Sequence, residues 1–111
     1  MEAEEKIQQL QMLEQSLQAL LMQKQNLQIH LMEADSALAE LKNVQSAYKI
    51  IGNIMISSDK AALEEDIAGK KETAELRLKA VEKQERSLRE KAQKLQEELL
   101  GELKKENGRK N

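Results

Sequence analysis

Residue types that enzymes use for chemistry are few in this chain, and none of them is grouped. His30 is the single histidine and cysteine is absent, so nothing accompanies it at the spacing of a zinc site. No neighbouring residue supplies the nucleophile or the pocket that a general base needs. The four glycines are isolated, which excludes a glycine-rich phosphate loop. We therefore expect no catalytic residue, no metal, no cofactor and no enzymatic activity.

The composition is that of long helices rather than of a globular core. Charged residues make up 34% of the chain and aromatic residues 1%, and Pro, Phe and Trp are absent. Large rings normally contribute much of a globular core, whereas abundant Leu, Ala, Glu, Lys and Gln are typical of extended helices. The net charge is −2, no apolar run could span a bilayer, and the acidic start is unlike a targeting peptide. We expect a cytoplasmic protein that binds neither nucleic acid nor membrane.

Apolar residues recur at alternating spacings of three and four in two long stretches. An average spacing of 3.5 keeps one apolar seam facing a partner helix, which is the pattern of a coiled coil. The first set is Leu10, Leu13, Leu17, Leu20, Leu27, Leu31, Leu38 and Leu41, and the second is Ile67, Ala74, Leu78, Val81, Leu88, Ala92, Leu95 and Leu99. We predict helices over about residues 3–44 and about 58–103, and a disordered tail over about 104–111. Ser57 or Ser58 is the expected N-cap of the second helix.

A short β-like segment separates the two stretches. Residues 48–51 and 54–57 are rich in β-branched side chains and flank Gly52-Asn53, an acceptable two-residue hairpin turn. Strand pairing around this turn places apolar side chains on both faces, which a lone hairpin in water cannot sustain. The simplest cover is a shared sheet or barrel, built with hairpins of other copies or of a related subunit. The residues expected at that interface are Tyr48, Ile50, Ile51, Gly52, Ile54, Met55 and Ile56.

Reversal at the hairpin predicts a mainly α fold in which residues 1–111 form one unit. This unit is a long antiparallel two-helix coiled coil, and the single β-hairpin joins its helices. Folding back brings the two charged seam residues, Lys24 and Glu85, within about one layer of each other. Either these two side chains pair, or each extends to solvent from a thin seam. Pairing of helices between chains is a further alternative that the pattern leaves open.

Several segments resemble the β-type subunit of prefoldin, in its archaeal versions, and together they cover nearly the whole chain. The hairpin segment Tyr48-Lys49-Ile50-Ile51-Gly52-Asn53-Ile54-Met55-Ile56 is the most specific of them. The others are Gln23-Lys24-Gln25, Ala37-Leu38-Ala39-Glu40-Leu41, Leu76-Arg77 and Glu82-Lys83-Gln84-Glu85. The resemblance implies a hexamer of two α-type and four β-type subunits, with a barrel body made of hairpins and free coiled-coil arms. It also implies that the arm tips capture unfolded proteins without ATP and pass them to a group II chaperonin.

Client binding would require flexible apolar side chains near the free ends of the helices, and Met suits such surfaces because it repacks easily. Off-seam candidates are Met1, Ile7, Met12, Leu100 and Leu103, and fraying would add the seam residues Leu10, Leu13, Leu95 and Leu99. The plainer interpretation is that these are scattered surface hydrophobes. The alternative function is a structural coiled-coil protein that tethers or dimerises without chaperone activity.

Overall fold

The computed structural model describes residues 2–109, and their side chains except those of Ser58 and residues 106–109. Helix α1 covers Ala3–Leu41, strand β1 Ala47–Ile51, strand β2 Ile54–Ser58 and helix α2 Lys60–Arg109. Two long helices joined by a small antiparallel hairpin are therefore confirmed as the fold of the chain. Among the described residues, 25–79 form one compact unit, here the hairpin unit, and 2–24 with 80–109 form another, here the terminal unit.

Helix α1 begins where the sequence predicts and ends three residues early. Glu4 and Glu5 in its first turn complement the positive end of the helix dipole. The predicted end at residue 44 is wrong, because the helix ends at Leu41. The amide of Asn43 donates to the carbonyl of Glu40 at 3.1 Å, a three-residue closure that tightens the last turn and ends the α-helical pattern.

Helix α2 begins with Asp59 as its N-cap, which corrects the prediction of a serine cap. The amide of Ala61 donates to Asp59 Oδ1 at 3.3 Å, and the amide of Leu63 donates to the Asp59 carbonyl at 2.9 Å. Ser57 and Ser58 belong to strand β2 instead, where they pair with Tyr48 and Ala47. The reason is that strand pairing in the hairpin extends to Ser58, one residue beyond the predicted strand end at Ser57.

The far end of α2 also differs from the prediction. The helix continues to Arg109, so residues 104–109, predicted as part of a disordered tail, are helical, while residues 110–111 lie outside the described range. Lys104, Lys105 and Glu106 have good helix propensity and no proline interrupts them, while Gly108 costs only about 1 kcal/mol relative to Ala. Polarity alone was therefore a poor reason to end the helix at residue 103.

The hairpin has the predicted turn and register. Gly52 takes a φ of 61° and Asn53 keeps a negative φ, the pattern of a type II′ turn with glycine first. Ile51 pairs with Ile54, and Ile50 pairs with Met55. Because paired residues share a face, one face carries the three isoleucines 51, 54 and 56, and the other carries Tyr48, Ile50 and Met55.

Seam residues are the most enclosed part of both helices. Leu20, Leu41 and Val81 are buried, and the other predicted seam residues are half-buried. Two helices can cover only one side of each other, which explains why most of the seam remains partly open to solvent. The 3-4 pattern of the sequence therefore identified the core correctly.

Candidate functional site

The hairpin exposes large apolar side chains on both faces. The exposed fractions lie between 46% and 68% for Tyr48, Ile50, Ile51, Ile54, Met55 and Ile56. Ala47, at the start of β1, is buried. Two strands alone are marginally stable in water, and the apolar faces of this hairpin remain open.

An open groove of about 530 Å³ lies beside β1 in the hairpin unit. Tyr48 and Ile50 line it from the strand, and Leu63 and Ile67 line it from α2. The groove continues the apolar surface of the hairpin onto the helices, so an approaching partner would meet strand and helix side chains together.

A buried lysine lies in the seam of the terminal unit, and sequence reasoning missed it. Lys6 contacts the carboxylate of Glu102, and its Nζ lies 3.8 Å from an oxygen of Glu98. The signal was available, because Lys6 is four residues before Leu10 and Glu102 is three residues after Leu99. Both therefore continue the 3-4 pattern, as charged seam positions rather than apolar ones.

The predicted pairing of Lys24 with Glu85 is confirmed. Lys24 Nζ lies 3.7 Å from Glu85 Oε2, and Arg89 Nε donates to the other oxygen, Oε1, at 3.3 Å. The Glu85 side chain is only 15% exposed, and its Oε2 accepts no hydrogen bond from the described residues. The alternative in which each side chain extends separately to solvent is therefore wrong for Glu85.

The terminal unit holds the residues predicted to bind clients, apart from Met1, which lies outside the described residues. Ile7, Met12, Leu100 and Leu103 are exposed. Leu10, Leu13 and Leu99 are half-buried in the seam. The structure brings Met12 and Leu13 together with Leu95 along one open groove. Client binding by these residues remains a prediction.

The hairpin unit contains the one histidine and a cross-helix ion pair of its own. His30 lines an open groove between the helices, and no group of three or more possible metal ligands occurs within residues 2–109. Lys71 Nζ lies 2.6 Å from Asp35 Oδ1. The hydrogen bond and the charge of Asp35 raise the pKa of Lys71 above its ordinary value.

No helix in the described part of the chain is long and apolar enough to cross a membrane.

A family model described as "Prefoldin subunit" matches residues 4–106. The chain belongs to the prefoldin subunit family. The crystal structure of the prefoldin beta subunit from Thermococcus strain KS-1 superimposes with a TM-score of 0.85 at 33% identity, covering 91% of each chain. This match confirms the resemblance to β-type prefoldin subunits and the fold of two helices joined by a hairpin.

Curated prefoldin relatives align over a shorter region. Prefoldin subunit beta of Saccharolobus islandicus is 40% identical over 52 residues, which is 47% of this chain and 41% of that protein. Prefoldin subunit beta of Thermococcus gammatolerans is 39% identical over 57 residues, 51% of this chain and 49% of that protein. The alignments thus span less than half of these relatives. They agree with the family model in placing the chain among prefoldin subunits.

Proposed function

We propose that this chain is the β-type subunit of a prefoldin hexamer of two α-type and four β-type subunits, which holds unfolded proteins without ATP. One observation supports the proposal above all: both units expose apolar side chains that a two-helix coiled coil does not need for its own stability. In the hairpin unit they suit assembly, and in the terminal unit they suit capture of clients.

Assembly is supported by the energetics of the hairpin. Complete burial of an Ile or Met side chain contributes about 1.5–3 kcal/mol. Since Ile50, Ile54 and Met55 are each at least 65% exposed, covering them would contribute on the order of 1–2 kcal/mol apiece. A closed barrel of hairpins would also remove the unpaired strand edges that otherwise invite aggregation.

Client capture is supported by the chemistry of the exposed residues in the terminal unit. Met12 is 67% exposed and, like Ile7 and Leu100, projects from a helix rather than from a rigid pocket. The unbranched, flexible side chain of Met12 can repack against many different apolar segments. Transfer of the captured client to a group II chaperonin completes the proposal and rests on the family resemblance.

The test is suppression of aggregation by the hexamer reconstituted with a prefoldin α-type subunit. A chemically unfolded protein is diluted into buffer without ATP, and light scattering is followed with and without the hexamer. We expect suppression by the original chain and its loss in the triple variant Ile7→Ser, Met12→Ser, Leu100→Ser. The matched control, Ile29→Ser with Met32→Ser and Leu76→Ser, removes three comparably exposed apolar residues from the hairpin unit and should preserve suppression.

Two outcomes would contradict the proposal. A hexamer that forms but never suppresses aggregation would support the structural tethering role instead. Equal loss in the triple variant and the control would show that exposed apolar area in general, rather than the terminal unit, accounts for binding.

A further inference from the structure

We propose that the groove at Met12, Leu13 and Leu95 selects client segments in which an acidic residue stands beside an apolar one. Lys91 and Lys94 on its rim would receive the carboxylate. The inference rests on the proposed client-binding function and adds a substrate class to it.

The shape of the groove suits an apolar side chain in an extended segment. Its volume is about 550 Å³, within the range of about 300–1,000 Å³ that ligand-binding clefts occupy. Leu13 and Leu95 are half-buried and belong to the seam, whereas Met12 is 67% exposed. Met12 can therefore change rotamer to fit different apolar side chains without disturbing the seam below it.

The charges on the rim are not balanced. Lys91, Lys94 and Glu98 line the groove from α2. The Glu98 carboxylate lies 3.8 Å from the buried Lys6 Nζ, so part of its charge is already compensated. Neither Lys91 nor Lys94 has a carboxylate within 4.0 Å among the described side chains. The ion pairs of the terminal unit, which join the two helices or residues one helical turn apart, involve other residues. The two ammonium groups are three residues apart, so they lie on the same face of α2.

These charges favour a client segment over a second copy of this chain as the occupant. A two-fold contact places the same patch of both copies face to face. Such a contact through this groove would place two lysines and one carboxylate of each copy in the same interface, and this net positive charge would oppose it. A client segment with an apolar residue and an adjacent Asp or Glu would instead cover the apolar floor and supply the missing negative charge.

The experiment compares two extended peptides that differ only by Asp in place of Asn beside a central Leu-Ile pair, each labelled with a neutral dye. Binding to the full chain, alone and in the reconstituted hexamer, is measured by fluorescence anisotropy. Two exposed ion pairs should make the Asp peptide bind about three- to tenfold more tightly. The double variant Lys91→Gln, Lys94→Gln should abolish this difference between the two peptides. The control Lys79→Gln, Lys83→Gln removes two exposed lysines that do not line the groove and should preserve the difference.

Each other result has a definite meaning. Equal binding of the two peptides would overturn the selectivity and leave client capture intact. Failure of both peptides to bind would remove the proposed client function together with the inference. If the Lys91/Lys94 variant instead changed the native mass of the chain, a second copy would be the occupant and the inference would be wrong.

Discussion

Replacing Lys24 by Met should destabilise the chain, because it removes one of the two cations beside the mostly buried Glu85 carboxylate and leaves only the exposed Arg89. The carboxylate is 15% exposed, and one of its oxygens already lacks a hydrogen-bond donor among the described residues. Methionine keeps a straight, helix-compatible side chain of similar length. The substitution therefore removes the charge and little else.

The expected cost follows from the distance and the exposure. At 3.7 Å and an effective dielectric constant of about 20, two unit charges attract by about 4.5 kcal/mol before desolvation is counted. Lys24 is 27% exposed, so water screens part of this attraction. We expect Lys24→Met to cost about 1–3 kcal/mol of unfolding free energy. Glu85→Met should stay within about 1 kcal/mol, because the freed lysine can extend to solvent.

Urea unfolding followed by circular dichroism, at one fixed protein concentration, measures these changes. The double variant should be as stable as the original chain or more stable, because two apolar residues then fill the seam. Lys6→Met is the matched control: its partners Glu98 and Glu102 are 58% and 33% exposed and can turn to water, so it should cost less than about 1 kcal/mol. Equal and small costs for Lys24→Met and Lys6→Met would refute the reasoning that Glu85 is trapped.

Three further predictions concern the hairpin unit. Gly69→Ala should stabilise the chain by about 1 kcal/mol in urea unfolding, because alanine has the higher helix propensity and nothing lies within 4 Å of the added carbon. Gly52→Ala should destabilise the chain by about 1–2 kcal/mol, because φ is 61° there. The raised pKa of Lys71 means that its pairing with Asp35 stabilises the fold below about pH 10 and loses this effect as pH rises through the folded pKa. Between pH 9 and 12, the thermal unfolding temperature should therefore fall more steeply with pH for the original chain than for Lys71→Gln. Parallel curves of unfolding temperature against pH would contradict this. Ile50→Lys should lower the native mass of the assembly and leave helical circular dichroism unchanged, and an unaltered mass would argue against burial of that face.

The seam and the hairpin could be predicted from the sequence because one dominant physical constraint fixes each of them. Leucines at 3-4 spacing must share a buried stripe wherever the helix forms, and Leu20 and Leu41 indeed lie there. Glycine is the residue that tolerates the positive φ of a type II′ turn, so Gly52-Asn53 determined the strand register as well as the turn.

Element ends could not be predicted as well, because small and competing energies decide them. Val44 and its neighbour Asn43 have similar, moderate helix propensities, so a closure bond at Asn43 was enough to end α1 before Val44. Asp59 and Ser58 are comparable N-caps, and strand pairing of Ser58 decided between them.

The functional surfaces were predictable only in part. Exposed residues such as Met12 could be predicted, because they are apolar residues that do not occupy seam positions. The groove at Leu95, with lysines on its rim, could not be predicted. It depends on which side of α2 packs against which side of α1, and the spacing of apolar residues in the sequence does not determine this. Lys6 was missed because a search for apolar repeats passes over a charged residue that occupies a seam position.

The native mass of this chain, alone and mixed with a prefoldin α-type subunit, tests the central claim most directly. Light scattering on a sizing column measures it. We predict a single species with the mass of two α-type and four β-type chains in the mixture, formed through the exposed hairpin faces. A chain that ignores the α-type subunit and elutes as a monomer or dimer would contradict assembly through the hairpin and favour the tethering role.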